Sequence, residues 1–396
     1  MSLIDLLDND KYLEEFINHK TRNFISKKEI NKYQELKENQ KFKEIIHDIK
    51  NNKYKFSIPK KSIINKIGKK KKRLVYQYTK EETYILKYIT YLLYEYDYLF
   101  SPNLYSFRQN ISVKNAIKDL MNNNINNMYG YKVDIENYFN SIDSKMLLKE
   151  LKKDIKDKKL YNIFKELLTN KKVRYNDKII EEEKGIMAGV PISSFLANYY
   201  LKDLDKYFYD NKIIYSRYAD DIIIFTKTKE EIEIYKGKIN DFLEKKKLTI
   251  NKNKEYFYNP NDKIEYLGFS FNNNEIDISK NSLNKIKGKI KRSSKSIRRW
   301  MIKKNISTEN ALKTMNKKFN KKFYGKEENE LSWKYWYFPV INTTKSIKII
   351  DEYMQQQQRY LITGKHNKKN YQKVPYELLK KCNYKSLVNE YYKEKK

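Results

Sequence analysis

Cysteine, histidine, glycine and proline are all scarce in this sequence. Its 396 residues include one cysteine, three histidines, nine glycines and six prolines. The single thiol, Cys382, cannot form an intrachain disulfide, which excludes a disulfide-stabilised scaffold. The histidines His19, His47 and His366 are scattered, and no Cys-x-x-Cys or His-Glu-x-x-His spacing occurs, which argues against zinc chemistry. Carboxylates therefore remain the candidate metal ligands.

Long apolar runs are also missing. The most apolar segment, 84–100, is interrupted by Lys87, Glu95 and Asp97, so we expect no membrane-spanning helix and no membrane partner. The first ten residues carry acidic side chains where a secretory leader would carry basic ones. Together with the single cysteine, these features predict a cytoplasmic protein.

Positive charge is in clear excess. The chain carries 84 Lys and Arg against 50 Asp and Glu, a formal net charge of +34, and only nine of the basic residues are arginine. An AT-rich coding bias favours lysine, but it also favours Asp and Glu, which do not keep pace. Because such an excess of one sign is self-repulsive, nucleic-acid binding is favoured over a lysine-coated surface without a partner. The 40% of hydrophobic residues are enough to fill a sizeable core.

Hydrophobic periodicity predicts an α+β protein with an antiparallel sheet. Helices are expected over 1–50, over most of 80–128, from about 143, over 229–247 and after 280. Strands are expected at 54–58 and 73–78 as a basic hairpin, at 131–135, 248–250 and 264–271, and as a second hairpin at 213–215 and 222–225.

Three acidic residues stand where two predicted strands end. Asp220 and Asp221 occupy the tip of the second hairpin, and Asp134 follows the apolar run through Val133. An Asp pair is also common in plain turns, so the pair alone carries little weight. Three carboxylates on adjacent strands can hold two Mg²⁺ ions about 4 Å apart, the arrangement used for in-line phosphoryl transfer.

Five motifs in order resemble those of reverse transcriptases over residues 55–275. Asp134-Ile-Glu-Asn-Tyr-Phe139 and Tyr218-Ala-Asp-Asp221 are similar to the first and third palm motifs. Between them, Gly185, Gly189, Ser193 and Asn198 match the second motif, whereas Met187, Ala188 and Ser194 replace its Pro, Gln and Pro. The segments 248–254 and 266–269 resemble the fourth and fifth palm motifs, and 68–74 and 105–108 resemble fingers motifs.

The resemblance implies a right-hand polymerase with an α-helical thumb and C-terminal extension. It implies an N-terminal helical region and fingers at 1–129, a palm at 130–275 with a fingers insertion around 145–184, and a thumb with its extension at 276–396. The implied activity is RNA-directed DNA synthesis from dNTPs with two Mg²⁺ ions, for which Mn²⁺ could substitute. RNA template and DNA product would be the partners. The sequence leaves the oligomeric state open.

The resemblance also assigns site residues. Asp134, Asp220 and Asp221 would be catalytic and, with Ile135, would bind the metal ions. The implied nucleotide-binding residues are Arg73, Phe139, Gly189 and Lys254. The implied nucleic-acid-binding residues are Lys71, Lys72, Arg108, Gly185, Ser193, Tyr218, Arg292 and Arg298. The Phe139 ring would exclude a sugar with a 2′-hydroxyl, although an ordinary core phenylalanine remains an alternative.

The altered second motif is most similar to the bacterial abortive-infection and defence-associated ("unknown group") reverse transcriptases. That resemblance implies the copying of a dedicated noncoding RNA in antiphage defence. A retron enzyme, a group II intron-like enzyme and an inactive RNA-binding polymerase fold remain alternatives. For the aromatic cluster at 333–338, base stacking and a small second core both remain open.

Overall fold

The computed structural model describes residues 2–22, 27–65, 72–325 and 332–395. The chain divides into two compact units, Met1–Pro260 and Asn261–Lys396. Both units combine helices with antiparallel strands, so the α+β class is confirmed and is consistent with a right-hand polymerase. In the described residues, no helix is both long enough and apolar enough to cross a membrane.

The described part of the first unit is mainly helical, with eight strands. Its α-helices are α1 (Asp10–Thr21), α2 (Lys27–Gln34), α3 (Gln40–Lys50), α4 (Lys80–Leu92), α5 (Val113–Asn122), α6 (Tyr138–Ser141), α7 (Ser144–Asp154), α8 (Lys158–Thr169), α9 (Ser193–Tyr200), α10 (Lys202–Asp210) and α11 (Lys229–Lys245). Its strands are β1 (Lys60–Asn65), β2 (Lys72–Gln77), β3 (Tyr129–Asp134), β4 (Lys172–Tyr175), β5 (Lys178–Glu181), β6 (Ile214–Tyr218), β7 (Asp221–Thr226) and β8 (Tyr256–Tyr258).

Two four-stranded sheets organise this unit. One has the order β2-β1-β4-β5 and the other the order β6-β7-β3-β8. In the second sheet β7 carries the run Ile222–Phe225, which is fully buried because both faces of the strand are covered. The acidic residues therefore lie at the ends of two strands, β3 and β7, that are fixed within a buried apolar sheet.

Side-chain caps fix where several helices begin. Thr79 and Glu82 form a reciprocal capping box at α4, and Thr228 and Glu231 form another at α11. Asp143 caps α7 by accepting a hydrogen bond from the amide of Met146. These caps satisfy amides that the first helical turn leaves without intrahelical partners.

The second unit contains a small antiparallel sheet and a helical bundle. Its strands, in the order β11-β10-β9, are β9 (Ile264–Tyr266), β10 (Phe269–Asn272) and β11 (Glu275–Ile278). Its helices are α12 (Lys280–Lys303), α13 (Thr308–Phe323), α14 (Trp333–Trp336), α15 (Lys345–Thr363), α16 (Asn370–Lys373), α17 (Tyr376–Lys381) and α18 (Leu387–Lys395). Trp333, Tyr337 and Phe338 are buried, which favours the small-core interpretation of this cluster.

Three strand predictions are wrong. The segment 248–250 is not a strand, because only Ile250 pairs, in an isolated bridge with Ile135. The first strand of the basic hairpin is β1 at 60–65 and not 54–58. The more polar segment 60–65 is the one that pairs with β2. The segment 264–271 is not one strand but the hairpin β9–β10, since Leu267 and Gly268 have φ of 48° and 92° and reverse the chain. The other predicted hairpin, the strand near 131 and the basic helix after 280 are confirmed.

Candidate active site

The predicted carboxylates meet at one end of the sheet β6-β7-β3-β8. Asp134 at the end of β3 pairs directly with Asp221 at the start of β7. Side chains opposite each other in an antiparallel pair share one face of the sheet, so these two are neighbours. Asp220 lies in the two-residue turn between β6 and β7, and its carbonyl accepts from the Ile135 amide at 3.1 Å. The four residues predicted to bind metal therefore come together.

Burial and mutual repulsion raise the proton affinity of two of these acids. Burial, and then the charge of Asp134, raises the pKa of Asp220 above its ordinary value of 3.8. Burial, and then Asp220 and Asp134, raises the pKa of Asp221 to about 6. Such shifts mark a place where negative charge is concentrated, which a cation would relieve.

Lys254 already supplies one cation to this group. Its ammonium contacts Asp134 Oδ2, and the Asn251 side-chain amide lies 3.4 Å from Asp134 Oδ1. In the described part of the chain, no three Asp, Glu, His or Cys side chains stand together tightly enough to hold an ion. Both carboxylate oxygens of Asp134 are engaged by Lys254 and Asn251. The donor set itself, hard carboxylate oxygens, fits Mg²⁺ or Mn²⁺.

An aromatic surface borders the carboxylates. Phe139, on the short helix α6, is partly exposed, and its ring lies edge-on to that of Phe107 with centroids 6.3 Å apart. The Phe107 ring is also 6.3 Å from the ring of Tyr218. Phe107 is 43% exposed, and its backbone φ is 54°. The sequence places Phe107 in a fingers motif but indicates no role for its side chain. The three rings can contact a planar or sugar group placed beside the acids.

Two glycines of the second motif pack against the chain itself. Gly185 has φ +56°, and a Cβ there would lie 2.4 Å from the Phe139 carbonyl oxygen. Gly189 has φ +99°, and a Cβ there would lie 3.2 Å from the Tyr76 carbonyl oxygen. Neither conformation nor spacing suits a larger residue. The loop 185–189 is thereby tied to both α6 and β2.

Three of the predicted cations are consecutive in the sequence, at 71–73. Lys72 and Arg73 are exposed on β2, and Arg73 is close enough to Asp220 to lower the pKa of that carboxyl, against the larger effect of burial. Lys71 lies outside the described residues.

Two further predicted nucleic-acid contacts are engaged within the first unit. Arg108 donates three hydrogen bonds to Asp97 and two to backbone carbonyls. Ser193 is fully buried and donates to the carbonyls of Ile186 and Met187. Any role of these two in nucleic-acid binding is therefore indirect.

In the second unit, Arg298 donates to the last carbonyls of α15, at Leu361 and Ile362. It therefore caps that helix, because those carbonyls have no intrahelical partner. Arg292 lies exposed on the same basic helix.

The geometry and the motifs agree with a family match. The chain belongs to the reverse transcriptase (RNA-dependent DNA polymerase) family, which matches residues 58–271. Retron Ec83 reverse transcriptase from Escherichia coli is 28% identical over an alignment of 165 residues, and the match covers 39% of this chain and 51% of that protein. The chain thus spans about half the length of the curated relative it matches.

Two solved telomerase structures are also similar. Apo telomerase from Candida tropicalis, truncated from its C-terminal domain, has a TM-score of 0.46 at 14% identity and covers 57% of this chain and 55% of its own. Telomerase from Candida albicans with a TWJ fragment of telomeric RNA has a TM-score of 0.46 at 11% identity, and the match covers 87% of this chain and 66% of the telomerase chain.

Proposed function

We propose that this protein is an RNA-directed DNA polymerase that adds deoxynucleotides to a 3′-hydroxyl with two divalent ions, Mg²⁺ by preference. The observation that carries the proposal is the cross-strand pairing of Asp134 with Asp221 beside Asp220, within the segment that matches the family. Bound at these carboxylates, the ions would lower the pKa of the attacking hydroxyl and neutralise the leaving pyrophosphate.

Two basic side chains of the site, Arg73 and Lys254, would attract the nucleotide without the help of metal ions. Arg73 and Lys254 are the basic residues that act electrostatically on Asp220, and both would attract a triphosphate. Lys254 is bound to Asp134, so its ammonium would exchange that carboxylate for a phosphate oxygen when the nucleotide arrives. Exchange of one anion for another keeps the lysine charged throughout.

Phe139 would select the sugar. The partly buried Phe139 ring packs edge-on against Phe107, and the Phe139 carbonyl accepts from the Ile186 amide, so the residue has little room for adjustment. A 2′-hydroxyl next to it would be desolvated without a hydrogen-bond partner, which costs ~1–3 kcal/mol. Deoxynucleotides avoid this cost, which supports DNA as the product.

Primer extension tests the proposal directly. Purified protein is given an RNA template, a DNA primer and dNTPs with Mg²⁺, and Asp220→Asn is compared with Asp241→Asn, an exposed residue on α11. We expect wild type and Asp241→Asn to extend the primer, and Asp220→Asn to lose extension while its RNA affinity stays within about twofold. Undiminished extension by Asp220→Asn would remove the catalytic assignment.

RNA binding without incorporation, by wild type and variants alike, would instead favour an inactive RNA-binding polymerase fold.

We further propose that the template is a dedicated noncoding RNA and that synthesis serves antiphage defence. The altered second motif supports this proposal, whereas the similarity to a retron enzyme supports the retron alternative. Sequencing the nucleic acid that copurifies with the protein would identify the template. Plating phage on cells carrying wild type or Asp220→Asn tests the defence role, and equal plaque numbers would contradict it.

A further inference from the structure

Ala219, the residue before Asp220, has a backbone conformation that alanine rarely adopts. It is the first residue of the two-residue turn between β6 and β7, and its φ is +57°. Glycine is usual at such positions, because a Cβ makes the left-handed region unfavourable. Something in the surroundings must therefore hold Ala219 there.

Both backbone polar groups of Ala219 are bound by side chains. Its amide donates to Ser106 Oγ at 2.9 Å, and its carbonyl accepts from Arg217 Nη1 at 3.2 Å. Ser106 and Arg217 are fully buried, and Ala219 is 6% exposed. Because water cannot replace these partners, a change of the turn would leave buried groups without hydrogen bonds.

The two side chains are themselves fixed by further buried groups. Arg217 donates through Nε and Nη2 to both oxygens of Asp205, and through Nη2 to the Asn198 carbonyl at 3.1 Å. Ser106 Oγ donates to Asn198 Oδ1 at 2.9 Å, and the Asn198 amide returns a bond to the Ser106 carbonyl at 2.6 Å. The planar guanidinium can serve these partners at once, which a lysine ammonium cannot do.

We propose that Ser106 and Arg217 are positioning residues that hold Ala219 in its left-handed conformation and thereby fix the place of Asp220 and Asp221. The proposal rests on the proposed function, since it assigns these residues to the setting of the carboxylates. Neither side chain would touch substrate or metal. Their effect passes through the backbone of one residue, Ala219.

The test uses Ser106→Ala, which removes one partner with little change of volume, and the rescue Ser106→Ala/Ala219→Gly. Glycine adopts φ +57° without a steric penalty, so it can keep the turn when the serine is lost. Ser57→Ala serves as the matched control, because the Ser57 hydroxyl is bound to the carboxylate of Glu82, which takes no part in the turn. Ala219→Gly alone completes the set.

We expect Ser106→Ala to lower the single-turnover rate of dNTP addition about tenfold, with the apparent affinities for dNTP and primer–template within about twofold. Adding Ala219→Gly to Ser106→Ala should raise this rate at least threefold. Ala219→Gly alone and Ser57→Ala should stay within about twofold of wild type. Amide hydrogen exchange of the peptide 216–222, measured by mass spectrometry, should be faster in Ser106→Ala than in wild type and Ser57→Ala.

A wild-type rate and wild-type exchange in Ser106→Ala would overturn the proposal. So would a slow Ser106→Ala that Ala219→Gly does not rescue, because the effect would then not pass through the Ala219 backbone. If wild type makes no DNA at all, the proposed function fails, and hydrogen exchange alone decides the positioning. Faster exchange at 216–222 in Ser106→Ala then supports it, and unchanged exchange refutes it.

Discussion

Removing one negative charge from the acidic group should stabilise the metal-free protein. Asp221 is partly buried opposite Asp134 and next to Asp220. Burial, and then these two neighbours, raises its pKa from 3.8 to about 6. Asn has nearly the shape of Asp and no charge, so Asp221→Asn removes the repulsion without opening a cavity. Active-site carboxylates commonly carry such a stability cost.

The size of the gain follows from the raised pKa. A tenfold change in an ionisation equilibrium corresponds to ~1.4 kcal/mol, so a pKa near 6 in place of 3.8 disfavours the folded charged state by roughly 3 kcal/mol. Asp221 is partly solvated, so we discount this to ~1–2 kcal/mol, which is about 2–6 °C in melting temperature for a unit of this size. Because the folded-state pKa is raised, the penalty is absent below pH 3.8 and complete above about pH 6.

Thermal unfolding in EDTA at pH 5 and pH 8 measures this effect. We expect Asp221→Asn to melt above wild type at pH 8 and to gain about half as much at pH 5, which lies midway between pH 3.8 and pH 6. Asp241→Asn, an exposed matched substitution, should follow wild type at both. A variant that gains nothing at pH 8, or gains as much at pH 5, would refute the electrostatic account of the acidic group.

Three further substitutions separate roles that the sequence leaves together. Phe139→Ala should admit ribonucleotides in primer extension, and unchanged sugar discrimination would contradict the sugar-gate assignment. Gly185→Ala should lower the free energy of unfolding by at least ~2 kcal/mol, because the new Cβ would stand 2.4 Å from the Phe139 carbonyl oxygen; a melting temperature equal to wild type would refute this. Arg298→Ala should destabilise the protein by ~1 kcal/mol through the lost cap on α15, whereas Arg299→Ala, at an exposed neighbour, should not. If Arg298→Ala and Arg299→Ala melt at the same temperature and only Arg298→Ala loses RNA affinity, Arg298 contacts nucleic acid, as the sequence predicts, and does not stabilise α15.

The fold elements that carry the acids were predictable because their signals are local. Two β-branched runs around a short polar connection predict the hairpin β6–β7, and an apolar run ending in an acid predicts β3. Strand β1 was missed because four of its six residues are polar and the segment becomes a strand through pairing with β2. The break at Leu267 and Gly268 was missed because one glycine within an apolar run does not specify a turn.

The candidate site was predictable in its residues but not in its contacts. Spacing and resemblance predict that Asp134 lies close to the Asp220–Asp221 pair. The register of β3 and β7 places Asp134 opposite Asp221. The binding of Asp134 by Lys254 depends on a rotamer and on a partner 120 residues away, which no local pattern encodes. Burial likewise decides that Ser193 faces the interior. A basic or polar residue inside a motif does not reveal whether solvent reaches it.

Divalent-ion binding tests the central claim most directly, since all the chemistry depends on the three carboxylates acting together. Mn²⁺ can be titrated into metal-free protein with bound primer–template and followed by electron paramagnetic resonance. We expect wild type and Asp241→Asn to bind Mn²⁺ alike, and Asp134→Asn and Asp220→Asn each to weaken binding at least tenfold. Absence of binding by wild type, or binding that neither substitution weakens, would contradict the claim.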